Sequence, residues 1–149
     1  MASINPYLTF DGNCEEAFNF YKSIFGGEFP YVGRFKDMPP SEGQAEMSPE
    51  FGNKIMHVCL AIGNTMLMGS DTSDEFYSDG KYTAGNNIAM SVNVDSREDA
   101  DRIYDGLSNG GKKTMPMNDT FWGAYFGMLT DKFGIQWMVN YDDPAKMQK

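Results

Sequence analysis

The chain repeats itself. YLTFDGNCEEAFNFYKSIFGGE near the start reads as a short strand, a polar break, a helix and a glycine pair, Gly26-Gly27. AMSVNVDSREDADRIYDGLSNGGK reads in the same order and ends at Gly110-Gly111. Asp95 stands 84 positions after Asp11, and Gly110 stands 84 after Gly26, in a chain of 149 residues. A strand-helix unit recurring at just over half the length restricts the fold to two copies of one supersecondary module, as one domain or as two small fused units.

Each helix carries its own start and stop. Asn13 with Glu16, and Ser96 with Asp99, have capping-box spacing. Ala17, Phe18, Tyr21 and Ile24 form one apolar stripe, and Ala100, Ile103, Tyr104 and Leu107 form the other. The glycine pairs supply the positive φ that ends a helix. Three strand-like runs follow each helix: GEFPYVGRF, KIMHVCLAIG and TMLMGSD, then KKTMPMNDTF, AYFGMLTD and IQWMVN. Each half therefore reads β-α-β-β-β. The expected organisation is a first module over 1–70, a connecting segment over 71–86, a second module over 87–140 and a polar tail over 141–149. Lys36 to Lys54, rich in Pro, Gly and acids, reads as an exposed loop. The fold class is α+β, with two βαβββ modules in tandem forming curled mixed sheets around a cavity, helices outside.

Hairpin register predicts which face of each sheet meets a helix. With Gly63-Asn64 as a two-residue turn, Ile62 opposes Thr65, Cys59 opposes Met68 and His57 opposes Ser70. His57, Cys59, Ala61, Met66, Met68 and Ser70 then share one face, which is small, polar or sulfur-bearing. Val58, Leu60, Ile62 and Leu67 share the aliphatic other, the face for a helix. In the second half, a loop over Asp131 to Gly134 sets Thr130 opposite Ile135 and Gly127 opposite Met138. Tyr125, Gly127, Leu129, Gln136, Met138 and Asn140 then line the cavity, while Phe126, Met128, Ile135, Trp137 and Val139 meet the helix.

Composition excludes several functions. A net charge of −9 leaves nothing to neutralise phosphates, so no nucleic-acid partner is expected. No apolar run reaches the roughly 20 residues that span a bilayer. The start, MASINPYLTF, lacks a basic segment followed by an apolar one. Cys14 and Cys59 are too few and too far apart for a disulfide framework. A reduced cytoplasm is expected. Twelve methionines suit either gap-filling in a core or a wall that adapts to varied ligands.

The segments NPYLTFDGNCEEAFNFYKSIFGGE, KIMHVCLAIGNTMLMGSD and FWGAYFGMLTDKFGIQWMVN resemble the vicinal-oxygen-chelate superfamily, also called the glyoxalase, bleomycin-resistance and dioxygenase superfamily, and within it the PhnB-like group. The resemblance covers nearly the whole chain. It implies a homodimer whose paired modules form cavities together. It also implies metal ligands, typically His, Gln or Glu, on the first and last strands of each module. Those positions fall here at Asn5, Met68, Asn87 and Met138. Neutral amides and soft thioethers bring no charge to offset the dehydration of a hard divalent ion, so no metal or other cofactor is expected.

His57 is the only histidine, so any imidazole chemistry must use it. It sits two residues from Cys59 on the same strand face, about 6–7 Å apart at Cα. The pair is either a nucleophile with its base or a structural hydrogen bond beside a small buried hydrophobe. Trp122, before Gly123, belongs to a strand boundary, where it can stack a planar ligand or pack plainly. The candidate cavity is thus Asn5, Tyr7, His57, Cys59, Met66, Met68, Asn87, Trp122, Tyr125, Gln136 and Met138. A metal-independent small-molecule binder is the leading expectation. The alternatives are a lyase, isomerase or dioxygenase-like enzyme with a displaced metal or a catalytic site centred on His57, and an interaction protein using the acidic loop.

Overall fold

The computed structural model describes residues 2–38, 48–72 and 82–146. Positions 39–47 and 73–81, which hold much of the expected acidic loop and of the connecting segment, lie outside the described residues. The chain divides into two compact units, Met1–Thr83 and Ala84–Lys149.

The first unit contains β1 (Tyr7–Phe10), α1 (Cys14–Phe25), β2 (Tyr31–Arg34), a 3₁₀ turn (Phe35–Asp37), the one-turn helix α2 (Pro49–Gly52), β3 (Ile55–Ile62) and β4 (Thr65–Asp71). Its strands form one mixed sheet in the order β1-β4-β3-β2, with β1 parallel to β4 and the other neighbours antiparallel. The second unit contains β5 (Met90–Asn93), α3 (Arg97–Ser108), β6 (Lys112–Asp119), β7 (Ala124–Thr130) and β8 (Gln136–Asp142). Its order, β5-β8-β7-β6, with β5 parallel to β8, is the same pattern. The tandem α+β βαβββ architecture is thus the one the repeat predicts. Three boundaries move: β5 begins at Met90, β8 runs on to Asp142, and the start and end of the Lys36 to Lys54 stretch hold short helical turns.

Each long helix lies on one face of its own sheet. Ala17, Phe18 and Tyr21 of α1 are at most 1% exposed, and Phe10, Leu60 and Leu67 beneath them at most 2%. Phe18 meets Phe10 and Tyr21 edge-to-face, at 6.1 and 5.7 Å between ring centroids. Full burial of such side chains contributes about 1.5–3 kcal/mol each. In the second unit Ala100, Ile103, Tyr104 and Leu107 of α3 bury against Leu129, Trp137 and Val139.

The two helix starts differ. Ser96 Oγ accepts from the Asp99 N–H at 3.1 Å, as the spacing predicts. Asn13 makes no side-chain cap. The Cys14 N–H donates instead to Oδ1 of Asp71, 57 residues away, while Ile55 N–H donates to Oδ2, both at 2.9 Å. One buried carboxylate therefore joins the start of α1 to the start of β3.

The glycine pairs do more than end helices. A Cβ on Gly27 would stand 2.3 Å from the Ala61 carbonyl oxygen, and one on Gly111 2.3 Å from that of Thr130. Gly27 also has φ +84°. Gly27→Ala is expected to lower unfolding free energy by about 2–4 kcal/mol, from strained backbone and crowding together. Urea denaturation against the parent protein checks this. An equal midpoint would mean that the α1–β2 connection relaxes freely.

Candidate functional site

The face of the first sheet turned away from α1 is built row by row. The β3–β4 register is the predicted one, Ile62↔Thr65 through Cys59↔Met68. Tyr31 pairs with Cys59, and Tyr7 with Met68. Tyr31, Cys59, Met68 and Tyr7 thus form one row across the helix-free face, with His57 beside it. Cys59 is 8% exposed, whereas Tyr7 and Tyr31 are each 47% exposed.

His57 is held on several sides. Its ring stacks on Tyr7 at 5.6 Å and 27°, and lies 5.8 Å from the Tyr31 ring at 43°. Gly33, paired with His57, has no side chain to obstruct the Tyr31 ring that leans over it. Nδ1 is 3.3 Å from the Tyr7 hydroxyl, and Nε2 is 3.2 Å from Cys59 Sγ. The residues two apart do meet through their side chains. Burial pushes the Cys59 thiol up, so its resting form is the protonated one.

The helix-free face of the second sheet corrects the sequence reading at one strand. Thr130 pairs with Gln136, not Ile135, and Met128 with Met138. The turn is a three-residue loop, Lys132 to Gly134. Asp131 N–H donates to the Ile135 carbonyl at 2.8 Å, and Gly134, at φ +89°, donates to the Asp131 carbonyl at 3.0 Å. One residue of register exchanges the faces of β7. Gln136, Met138 and Asn140 remain helix-free, as expected, and Trp137 is buried beneath α3 at 2% exposure. The partners of Gln136, Met138 and Asn140, however, are Thr130, Met128 and Phe126. Leu129 and Tyr125 lie on the helix side.

Tyr125 therefore does not join the candidate residues. Its hydroxyl donates to Asp101 of α3 at 2.6 Å, which pushes the phenol pKa up, and Arg97 sits 3.9 Å from its ring centroid. Arg97 also pairs with Asp119 at 2.8 Å, and the guanidinium holds that carboxyl below its ordinary range. This is a surface lattice of charges along α3.

Phe126 is the residue that sequence reasoning misses. The signal for it is Gly134, whose positive φ as the last residue of the turn marks a three-residue loop rather than a four-residue one. Trp122, 49% exposed in the β6–β7 turn, meets Phe126 edge-to-face at 6.4 Å and Phe121 at 5.0 Å. Phe126 stands opposite Asn140, whose amide donates to Asn93 at 3.1 Å and Asp142 at 3.0 Å. An aromatic platform thus adjoins a polar cluster. Gln136 donates to the Ile88 carbonyl at 3.0 Å.

The expected ligand positions do not gather donors for a hard metal ion. Asn5 precedes β1 and accepts from Met66 N–H at 3.5 Å. Asn87 lies exposed in a bend three residues before β5, and the 84-residue repeat offset maps Asn5 to Ala89 instead. Met68 neighbours Tyr7, and Met138 neighbours Ser91. Phenol, thioether, hydroxyl and amide are all neutral, and both nitrogens of His57 already have partners. This set does not fit a hard divalent ion. Among the described residues no group of three or more His, Cys, Asp or Glu is placed to hold one.

A cleft of about 560 Å³ lies at the start of α1, apart from these residues. Arg34 there binds Glu15 at 2.6 Å and the Asn53 carbonyl at 2.7 Å, and Lys54 binds the Gly12 carbonyl at 2.8 Å. Those bonds tie α1 to β2 and β3.

Residues 2–140 match the family model described as 3-demethylubiquinone-9 3-methyltransferase. Over 140 residues the chain is 35% identical to protein YjdN of Escherichia coli K12, covering 92% of this chain and 93% of that one. Protein PA1353 of Pseudomonas aeruginosa is 39% identical and superposes with a TM-score of 0.81, over 95% of this chain and 98% of that one. A putative 3-demethylubiquinone-9 3-methyltransferase, the PhnB protein from Bacillus cereus, shares the fold at 23% identity and TM-score 0.71, over 94% of this chain and 99% of that one. The chain belongs to the PhnB-like family that the match over residues 2–140 shows, and at 17% identity it shares its fold with a glyoxalase/bleomycin resistance protein/dioxygenase family enzyme from Burkholderia phytofirmans.

Proposed function

We propose that the helix-free sheet faces serve as metal-independent binding surfaces for a small organic ligand. The observation that carries this reading is the lining of the first sheet. A histidine ring lies between two half-exposed tyrosines, beside the Cys59 thiol and the Met68 thioether. Flat, soft, largely apolar surfaces with a few polar tips are how small-molecule sites are usually lined. Asn5 and Met66 border that lining. In the second unit Gln136, Met138 and Trp122 line the corresponding face, with Asn87 at its edge. Phe126 and Asn140 extend that face, and Tyr125 is outside it. The methyl transfer in the family description is not proposed for this chain. The described residues form no doubly wound parallel sheet, and the sequence has no glycine-rich strand-to-helix turn of the kind that cradles a nucleotide cofactor.

A homodimer belongs to this reading. Strands β1, β2, β5 and β6 are sheet edges, and edges need cover. Cys14 and Cys59 are unpaired and buried, which supports a reducing compartment such as the cytoplasm.

Metal content by mass spectrometry, after exposure to Mg, Mn, Ni, Zn and Fe(II) and desalting, tests the metal-free part. Substoichiometric metal throughout is expected, and one tightly held ion per chain would overturn it. A thermal-shift screen of small aromatic and carbonyl compounds tests the binding part. A hit whose shift falls by half or more in Met68→Ala and Met138→Ala is expected. Sedimentation at the mass of one chain would refute the dimer.

A further inference from the structure

We propose that Cys59 is a covalent capture site for small soft electrophiles of the α,β-unsaturated carbonyl class, with His57 as its base and Tyr7 positioning His57. This rests on the same face of the first sheet as the ligand reading above, and its test reads a covalent adduct at Cys59, so that either can fail without the other.

Two contacts join a nucleophile, a base and an orienting group. Cys59 Sγ is 3.2 Å from His57 Nε2, and His57 Nδ1 is 3.3 Å from the Tyr7 hydroxyl. A nucleophile within reach of a base that a third group holds is the arrangement that activates a thiol. In the tautomer with its proton on Nδ1, donating to the Tyr7 oxygen, the bare Nε2 accepts the Cys59 S–H. Tyr7 stacks on the ring at 5.6 Å and Tyr31 lies at 5.8 Å, and both contacts favour this orientation of the imidazole. Buried Cys14 is the contrast: it is 0% exposed and is the first residue of α1, with its backbone N–H on the Asp71 carboxylate.

Burial keeps the Cys59 thiol protonated at rest, which protects it from indiscriminate oxidation. The proton must therefore leave as attack occurs. His57 Nε2 takes the S–H proton while Sγ bonds to the β-carbon. The C=C pair moves to form the enolate, and the proton on Nε2 returns to the α-carbon. One S–C bond forms, one π bond is lost and no oxidant is consumed. At 8% exposure Cys59 admits reagents that can enter from the helix-free face beside Tyr31. That restricts the class to small, flat molecules.

N-ethylmaleimide at neutral pH, followed by intact-mass and peptide analysis, tests the proposal on the full chain. The native protein is expected to gain one adduct, at Cys59, with Cys14 unmodified, and Cys59→Ser is expected to gain none. His57→Phe keeps a ring between the tyrosines and removes the base, and is expected to slow labelling by about 10-fold or more. Tyr7→Phe keeps the stack and removes the hydroxyl, and is expected to slow it by about 3-fold through loss of positioning. If His57→Phe has no melting transition, His57→Gln takes its place with the same expectation. An unchanged rate in the folded His57 variant overturns the proposal. So does native protein that stays unlabelled at Cys59 while both cysteines label after denaturation.

Discussion

Asp131→Asn is expected to lower the unfolding free energy by about 2–4 kcal/mol although it changes one atom. Asp131 is 3% exposed and accepts on both oxygens. Oδ1 takes the N–H groups of Phe133 and Ile135 at 2.8 and 3.0 Å, and Oδ2 takes the Trp137 indole N–H at 2.8 Å. An amide has one acceptor and one donor end. Turned either way, it sets an NH₂ against an N–H inside the protein. The loss should show in guanidinium denaturation followed by Trp fluorescence, because the buried Trp137 indole adjoins the substituted group. Asp131→Ala removes every acceptor and should cost at least as much. Full stability in Asp131→Asn would show that the β7–β8 turn can satisfy these donors in another way.

Asp71→Asn is expected to cost a similar amount in the first unit, about 2–4 kcal/mol, for the same reason. Its two oxygens accept from Cys14 and Ile55, and the side chain is 4% exposed. The consequence is different. Asp131 holds a turn and the strand that follows it, whereas Asp71 joins α1 to β3 across the unit. Amide hydrogen exchange separates the two. Asp71→Asn should raise exchange at the first turn of α1 and at Ile55, while α3 stays protected. Protection unchanged at Cys14 would mean that the substituted side chain or another acceptor still holds that N–H.

Much of the fold is legible in the chain. The repeat, the helix stripes and the Gly63-Asn64 turn yield both sheets and the β3–β4 register, because each rests on residues within a few positions of one another. Trp137 and Val139 could be placed under a helix for the same reason: alternate residues on a strand share a face. The β7 face could not be assigned as easily. It depends on whether the hairpin loop holds three or four residues, and a buried aspartate makes that choice with its side chain. The capping spacing of Asn13 and Glu16 is likewise overridden: Asn13 makes no side-chain cap, and a carboxylate 57 residues away accepts from the Cys14 N–H at the first helical position instead.

The candidate site divides in the same way. That His57, Cys59 and Met68 share a face follows from strand period and a two-residue turn. That His57 bridges Cys59 to Tyr7 does not, because the ring's direction is set by two tyrosines on other strands. The sequence by itself determined two βαβββ modules, their order of succession and the sulfur-rich character of one sheet face, since these rest on local period and turn chemistry. Only the tertiary structure decided that Tyr125 turns to Asp101, that Asp71 caps α1, and that a thiol, an imidazole and a phenol stand in line. Those outcomes depend on one-residue registers and on which distant side chain reaches a polar group first, and neither leaves a periodic trace in the chain.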